Sequence, residues 1–70
     1  MSERYISYDK LWKMLIDKQM SKSELRKSAD ISLNTMTKLN NRQKVALDIL
    51  LRIGNALDCD IGEICEFVKP

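Results

Sequence analysis

An all-helical fold of five short helices is what this sequence predicts, on three observations. Apolar residues recur at helical spacing, as in Tyr8, Leu11, Trp12, Leu15 and Ile16 at i, i+3, i+4, i+7 and i+8. Two capping boxes, Ser21 with Glu24 and Asp60 with Glu63, mark places where helices begin. The composition, 44% hydrophobic and 31% charged with two Gly and one Pro, suits a folded helical chain and not a disordered one. Seventy residues make one domain, 1–70. So small a domain buries a modest core, and dimerisation is an expected support.

The first helix is predicted from Tyr8 to about Gln19, with Ser7 as its cap and Asp9 in the first turn, where the helix dipole favours a negative charge. Trp12 lies on its apolar stripe and is read as core or rim packing in preference to nucleotide stacking. Met20, just ahead of Ser21, is placed to staple against Leu25. The second helix starts at Lys22 and carries Leu25 and Ala29 inward. Ile31 anchors the turn, and Ser32 caps a third helix from Leu33 to about Asn40, whose Met36 and Leu39 face the core. The opposite stripe, Asn34, Thr37, Lys38 and Asn41, holds amides, a hydroxyl and a cation but no carboxylate.

A polar loop, Asn40 to Lys44, follows, and its amides, guanidinium and ammonium at the exit of the third helix read as a phosphate clamp. The fourth helix spans Leu47 to Leu57, with Leu47, Leu50, Leu51, Ile53, Gly54 and Leu57 as a wide apolar face. The Asp60 and Glu63 box then predicts a fifth helix, Ile61 to about Val68, with Ile61, Ile64, Cys65 and Val68 inward. Phe67 either closes the monomer core or joins a dimer interface.

The segments Ser21-x-x-Glu24-Leu25, Ala29-Asp30-Ile31-Ser32, Thr35-Met36-x-Lys38-Leu39-x-Asn41 and Leu47-x-x-Leu50-x-x-Ile53-x-x-Ala56-Leu57 together resemble the Cro/C1-type (Xre-like) helix-turn-helix DNA-binding domains. The resemblance implies a five-helix, lambda-repressor-like domain with its helix-turn-helix unit at about 21–42. The chain departs from the family pattern at Lys22, usually Gln; at Arg26, usually small; at Asp30, usually Gly; and at Asn40 and Arg42, usually Glu and Gly. Asp30 must then take the left-handed conformation that Gly adopts without steric cost, for which Asp and Asn are the next best residues.

The net charge of +2 conceals an asymmetry. Met1 to Lys44 holds ten Lys/Arg against five Asp/Glu, or +5, and Val45 to Pro70 holds two against five, or −3. The basic excess coincides with the helix-turn-helix segment, as expected of a phosphate-binding face. Other classes find little support. No His, Gly-rich phosphate loop, CxxC or recognisable carboxylate pair is present, so neither catalysis nor a cofactor is expected. Cys59 and Cys65, with no His, cannot build a tetrahedral zinc site from one subunit and read as small hydrophobes. With no signal-peptide-like or membrane-length apolar run, the expected location is cytoplasmic, with reduced thiols.

The predicted function is sequence-specific binding of double-stranded DNA by a transcriptional regulator, a repressor by expectation. The third helix would enter the major groove and the second would lie across the backbone. The candidate base-reading residues are Leu33, Asn34, Thr37 and Lys38: an amide suits adenine N6 and N7, a cation suits guanine O6 and N7, and a threonine can bond or touch a thymine methyl. Leu33 either meets a thymine methyl or packs. Candidate phosphate contacts are Lys22, Lys27, Ser32, Asn41, Arg42 and Lys44: Arg42 is the strongest in its loop for its planar fork, and Lys27 and Lys44 are weaker than Lys22 and Arg42. The resemblance implies a homodimer on a roughly palindromic operator with half-sites about one helical turn apart. It also implies a small bacterial or phage regulator with no visible ligand sensor. Two rivals share the fold: a protein-interaction module such as an antitoxin or adaptor, and a nonspecific architectural DNA binder.

Overall fold

The computed structural model describes residues 3–70 and contains four helices and a two-stranded sheet. In chain order these are β1 (Tyr5–Ser7), α1 (Asp9–Asp17), α2 (Lys22–Ala29), α3 (Leu33–Asn40), α4 (Leu47–Leu57), a 3-10 turn (Ile61–Glu63) and β2 (Glu66–Val68). Among the described residues no helix is long and apolar enough to cross a membrane.

The core joins Tyr8, Leu11 and Leu15 of the first segment to Leu25 and Ala29 of α2, Ile31 of the turn and Met36 and Leu39 of α3. Leu50, Ile53 and Leu57 of α4 and Ile64 complete it. Helix α1 begins one residue later than its sequence suggests. Tyr8 stands at the N-cap without a side-chain cap bond, while Ser7 Oγ accepts only a long bond from the Asp9 amide, 3.3 Å. The helix stops at Asp17, and Gln19 turns left-handed at φ 55°. Ile16 does not join the core and is 75% exposed. At 3.6 residues per turn it lies about 110° round the helix from the line through Tyr8, Leu11 and Leu15, and Trp12, nearer that line, is half-buried.

Helices α2 and α3 have the predicted bounds and caps. Ser21 Oγ accepts from the Glu24 amide at 3.0 Å, and Glu24 Oε1 accepts from the Ser21 amide at 3.1 Å. Asp30 ends α2 left-handed, at φ 55° and ψ 53°, with the next amide, Ile31, reaching back to the Arg26 carbonyl at 3.1 Å. Arg26 lies half-buried with Nη1 3.5 Å from the Ile31 carbonyl. Arg52 of α4 braces the same turn, donating to the Asp30 carbonyl at 2.8 Å.

Helix α4 is narrower on its buried side than expected. Leu50, Ile53 and Leu57 are buried, whereas Leu47 and Leu51 lie on the flank at 70% and 61% exposure. Gly54 is half-buried where the chain doubles back: a Cβ there would stand 2.9 Å from the Cys59 carbonyl oxygen. The left-handed residue after α4 is Asp58, at φ 53°.

The fifth helix does not form. Its capping box is present, with Asp60 Oδ1 accepting from the Ile61 amide at 2.8 Å and Glu63 Oε2 from the Asp60 amide at 3.0 Å. Only one 3-10 turn follows, because Gly62, Ile64, Phe67 and Val68 favour helix poorly and an extended partner is within reach. Strand β2 pairs antiparallel with β1 in the register Tyr5↔Val68, Ile6↔Phe67, Ser7↔Glu66. Of the predicted inward stripe, Ile64 is buried, Cys65 and Val68 are half-buried and Ile61 is exposed. Phe67 is 73% exposed and does not close the monomer core.

Candidate nucleic-acid interface

Helix α3 presents its polar side outward because Met36 and Leu39 hold the other side in the core. Ser32 Oγ accepts from the Thr35 amide at 3.1 Å and donates to Thr35 Oγ1 at 3.0 Å, so its hydroxyl is committed to the helix start. Leu33 is 70% exposed. Asn34, Thr37 and Lys38 are all exposed, on adjoining turns of α3. Thr37 Oγ1 donates to the Leu33 carbonyl at 3.0 Å, which leaves the oxygen free to accept. Asn41, the residue after the helix, is exposed as well.

The candidate phosphate contacts fall into two groups. Lys27 and Lys44 are exposed and enter no ion pair among the described residues. Lys22 and Arg42 are held by neighbours that sequence spacing does not reveal. Lys22 Nζ donates to Asn40 Oδ1 at 2.7 Å and stands 4.3 Å above the Trp12 ring. Arg42 stands left-handed at φ 57°, the position where Gly is usual in the resemblance, and its Nη2 pairs with Asp9 Oδ2 at 3.3 Å. The Tyr5 ring lies 6.0 Å from the same guanidinium. Tyr8 fixes the loop beside it by donating to the Gln43 carbonyl at 2.7 Å, across 35 residues of sequence. Trp12, Asp9 and Tyr8, expected in the core or as the first turn of α1, thus support the two cations, and Asn40 of the polar loop holds Lys22. Local periodicity carries no signal for such long-range partners.

No group of three or more potential metal ligands occurs among the described residues. Burial pushes the thiols of Cys59 and Cys65 up, with Glu63, Asp58 and Asp60 adding to the effect at Cys59 and Lys18 opposing it. Both thiols are therefore protonated near neutrality, where they are poor nucleophiles and metal ligands.

A helix pair joined by a left-handed turn, with the second helix offering a carboxylate-free polar face, matches a known pattern. Residues 10–70 match the family model of the Cro/C1-type helix-turn-helix DNA-binding domain. The chain belongs to that family. Among solved structures, that of the transcriptional regulator VanUg in its crystal form II is similar over the whole chain, with a TM-score of 0.94 and 41% identity, covering 100% of this chain and 93% of that one. No curated protein gives a significant match.

Proposed function

We infer that this Cro/C1-type chain is a sequence-specific transcriptional regulator of double-stranded DNA. The domain spans 1–70 with its reading unit at 21–42. Helix α3 enters the major groove, Asn34, Thr37 and Lys38 meet base edges, and Leu33 meets a thymine methyl. Lys22, Lys27, Asn41, Arg42 and Lys44 meet the sugar-phosphate backbone, and Ser32 does so through its amide, its hydroxyl being occupied. The observation that carries this reading is the exposed face of α3, which combines amide, hydroxyl and cation with no carboxylate. The 41% identity to a transcriptional regulator supports it. Repression is the mode such a domain performs by occupancy alone, in the bacterial cytoplasm where its DNA lies.

The regulator acts as a homodimer. Leu47, Leu51, Ile61 and Phe67 are exposed along the α4 flank and the sheet end, beside an open groove of about 280 Å³ lined mainly by α4, Cys59 and Ile61. None of these residues comes from α2, α3 or the loop after it, so a second copy can pack there while both reading helices stay free. The same apolar surface also favours the alternative of a protein-interaction module.

Selection from random duplex DNA tests the proposal, followed by titration of the winner and a scrambled control at two salt concentrations. A palindromic winner bound at least about a thousandfold better than the control is the expected result. Weak binding without enrichment, vanishing as salt rises, would shift the assignment to protein binding.

A further inference from the structure

The two cationic anchors near the reading helix are held in different ways, and the difference ranks them. Arg42 faces a carboxylate at 3.3 Å, so part of its charge is cancelled before any polyanion arrives. Lys22 has no carboxylate partner among the described residues, whose ion pairs take up Lys10, Arg42 and Arg52. Its two partners are neutral: the indole face of Trp12 at 4.3 Å and the amide oxygen of Asn40 at 2.7 Å. An aromatic face attracts an ammonium through its quadrupole without removing the positive charge. A lysine held in one rotamer has also given up, before binding, much of the side-chain entropy that complex formation would otherwise cost. Trp12 is itself fixed, half-buried and packed against the core. An open groove of about 350 Å³ lies beside it, bordered by Ile16, Met20 and Lys22, and Lys22 is exposed.

We propose that Trp12 is a positioning residue for Lys22, that Trp12, Lys22 and Asn40 form a preset clamp for a DNA phosphodiester, and that Arg42 with Asp9 chiefly braces the loop. The clamp joins α1, the start of α2 and the end of α3, so gripping a phosphate also fixes how α3 meets the groove. This inference rests on the DNA-binding reading above and sets Lys22 ahead of Arg42, which the sequence places side by side.

The test titrates a random-sequence duplex with the wild type, Trp12→Leu, Trp12→Tyr, Lys22→Ala, Arg42→Ala and the double variant Trp12→Leu/Lys22→Ala over a range of salt. Lys22→Ala should lower the salt slope by about 0.9, the value of one phosphate contact. Trp12→Leu should weaken binding roughly three- to tenfold with the slope unchanged, because Lys22 still reaches phosphate but is no longer preset. Trp12→Tyr should keep most of the affinity, the double variant should bind no more weakly than Lys22→Ala, and Arg42→Ala should cost less than Lys22→Ala. If Trp12→Leu weakens binding by the same factor with and without Lys22, Trp12 acts through packing alone and the clamp is overturned. One measurement needs no variant to fold. In the free wild type the Lys22 ε-methylene protons should resonate upfield of every other lysine, shielded by the indole ring, and ordinary shifts would overturn the proposal. A wild type that binds no duplex at all overturns the DNA-binding reading itself, an outcome distinct from additive variants in a protein that does bind.

Discussion

The outer face of α3 and the flank of α4 are both made of side chains that helical periodicity leaves outside the core, yet their chemistry is opposite. On α3 the exposed side chains include Asn34, Thr37 and Lys38; on α4 they include Leu47 and Leu51, continued by Ile61 and Phe67. Exposure alone therefore assigns neither surface. A face of donors, acceptors and a cation suits a polyanion with readable base edges, whereas an apolar flank gains only by meeting another apolar surface. Under the proposed function the contrast separates the work of reading DNA from the work of pairing two readers, and each part can be broken without the other.

The largest expected effect comes from the apolar side. Leu51→Glu leaves the monomer fold intact, since Leu51 is 61% exposed, but places a charge in the proposed dimer contact. Affinity for a palindromic site should fall about a hundredfold or more, the usual gain from linking two sites, while affinity for an isolated half-site stays unchanged. Sedimentation with parallel titrations of the two duplexes measures both, and an unchanged palindrome affinity would remove this flank from the dimer.

On the polar side, Asn34→Ala should lose about 1–3 kcal/mol against the preferred sequence only. Equal losses on preferred and random duplexes would show that Asn34 does not read a base.

The smallest effect compares the two left-handed aspartates, Asp30 at φ 55° and Asp58 at φ 53°. Replacing either by Gly relieves the same backbone strain and should raise stability by up to about 1 kcal/mol in a thermal melt. Only Asp30→Gly should also strengthen DNA binding slightly, because only Asp30 puts a carboxylate in the turn of the reading unit. Equal DNA affinities for the two variants would mean that the Asp30 charge lies too far from the phosphates to matter.

How far the sequence was legible follows from the range over which its signals act. The box at Ser21 and Glu24 and the one at Asp60 and Glu63 have the same spacing, and both form. The first is followed by Lys22 to Ala29, with straight-chain residues and alanine, and a helix runs on. The second is followed by Gly62, isoleucines, Phe67 and Val68, and one turn gives way to a strand. A cap starts a helix; the residues behind it and the partners in reach decide whether it continues. Tyr5–Ser7 was invisible because three residues carry no period, and its partner β2 lies at the other end of the chain. The outward positions of Ile16, Leu47 and Leu51 follow from their angles round short helices, which a list of i, i+3 and i+4 matches treats too generously. On the candidate interface, the exposed stripe of α3 was legible from the burial of Met36 and Leu39 on its other side. The partners of Lys22 and Arg42 were not, because Asn40 and Asp9 stand 18 and 33 residues away.

Methylation interference is the most direct test of whether α3 reads base edges in the major groove. Dimethyl sulfate marks guanine N7 in the major groove and adenine N3 in the minor groove, and the duplexes still bound are compared with those excluded. Guanine N7 methylation within each half-site should exclude duplexes from the bound fraction, with the block at one guanine lost in Lys38→Ala. Interference confined to adenine N3, or none at either position, would contradict major-groove reading by α3.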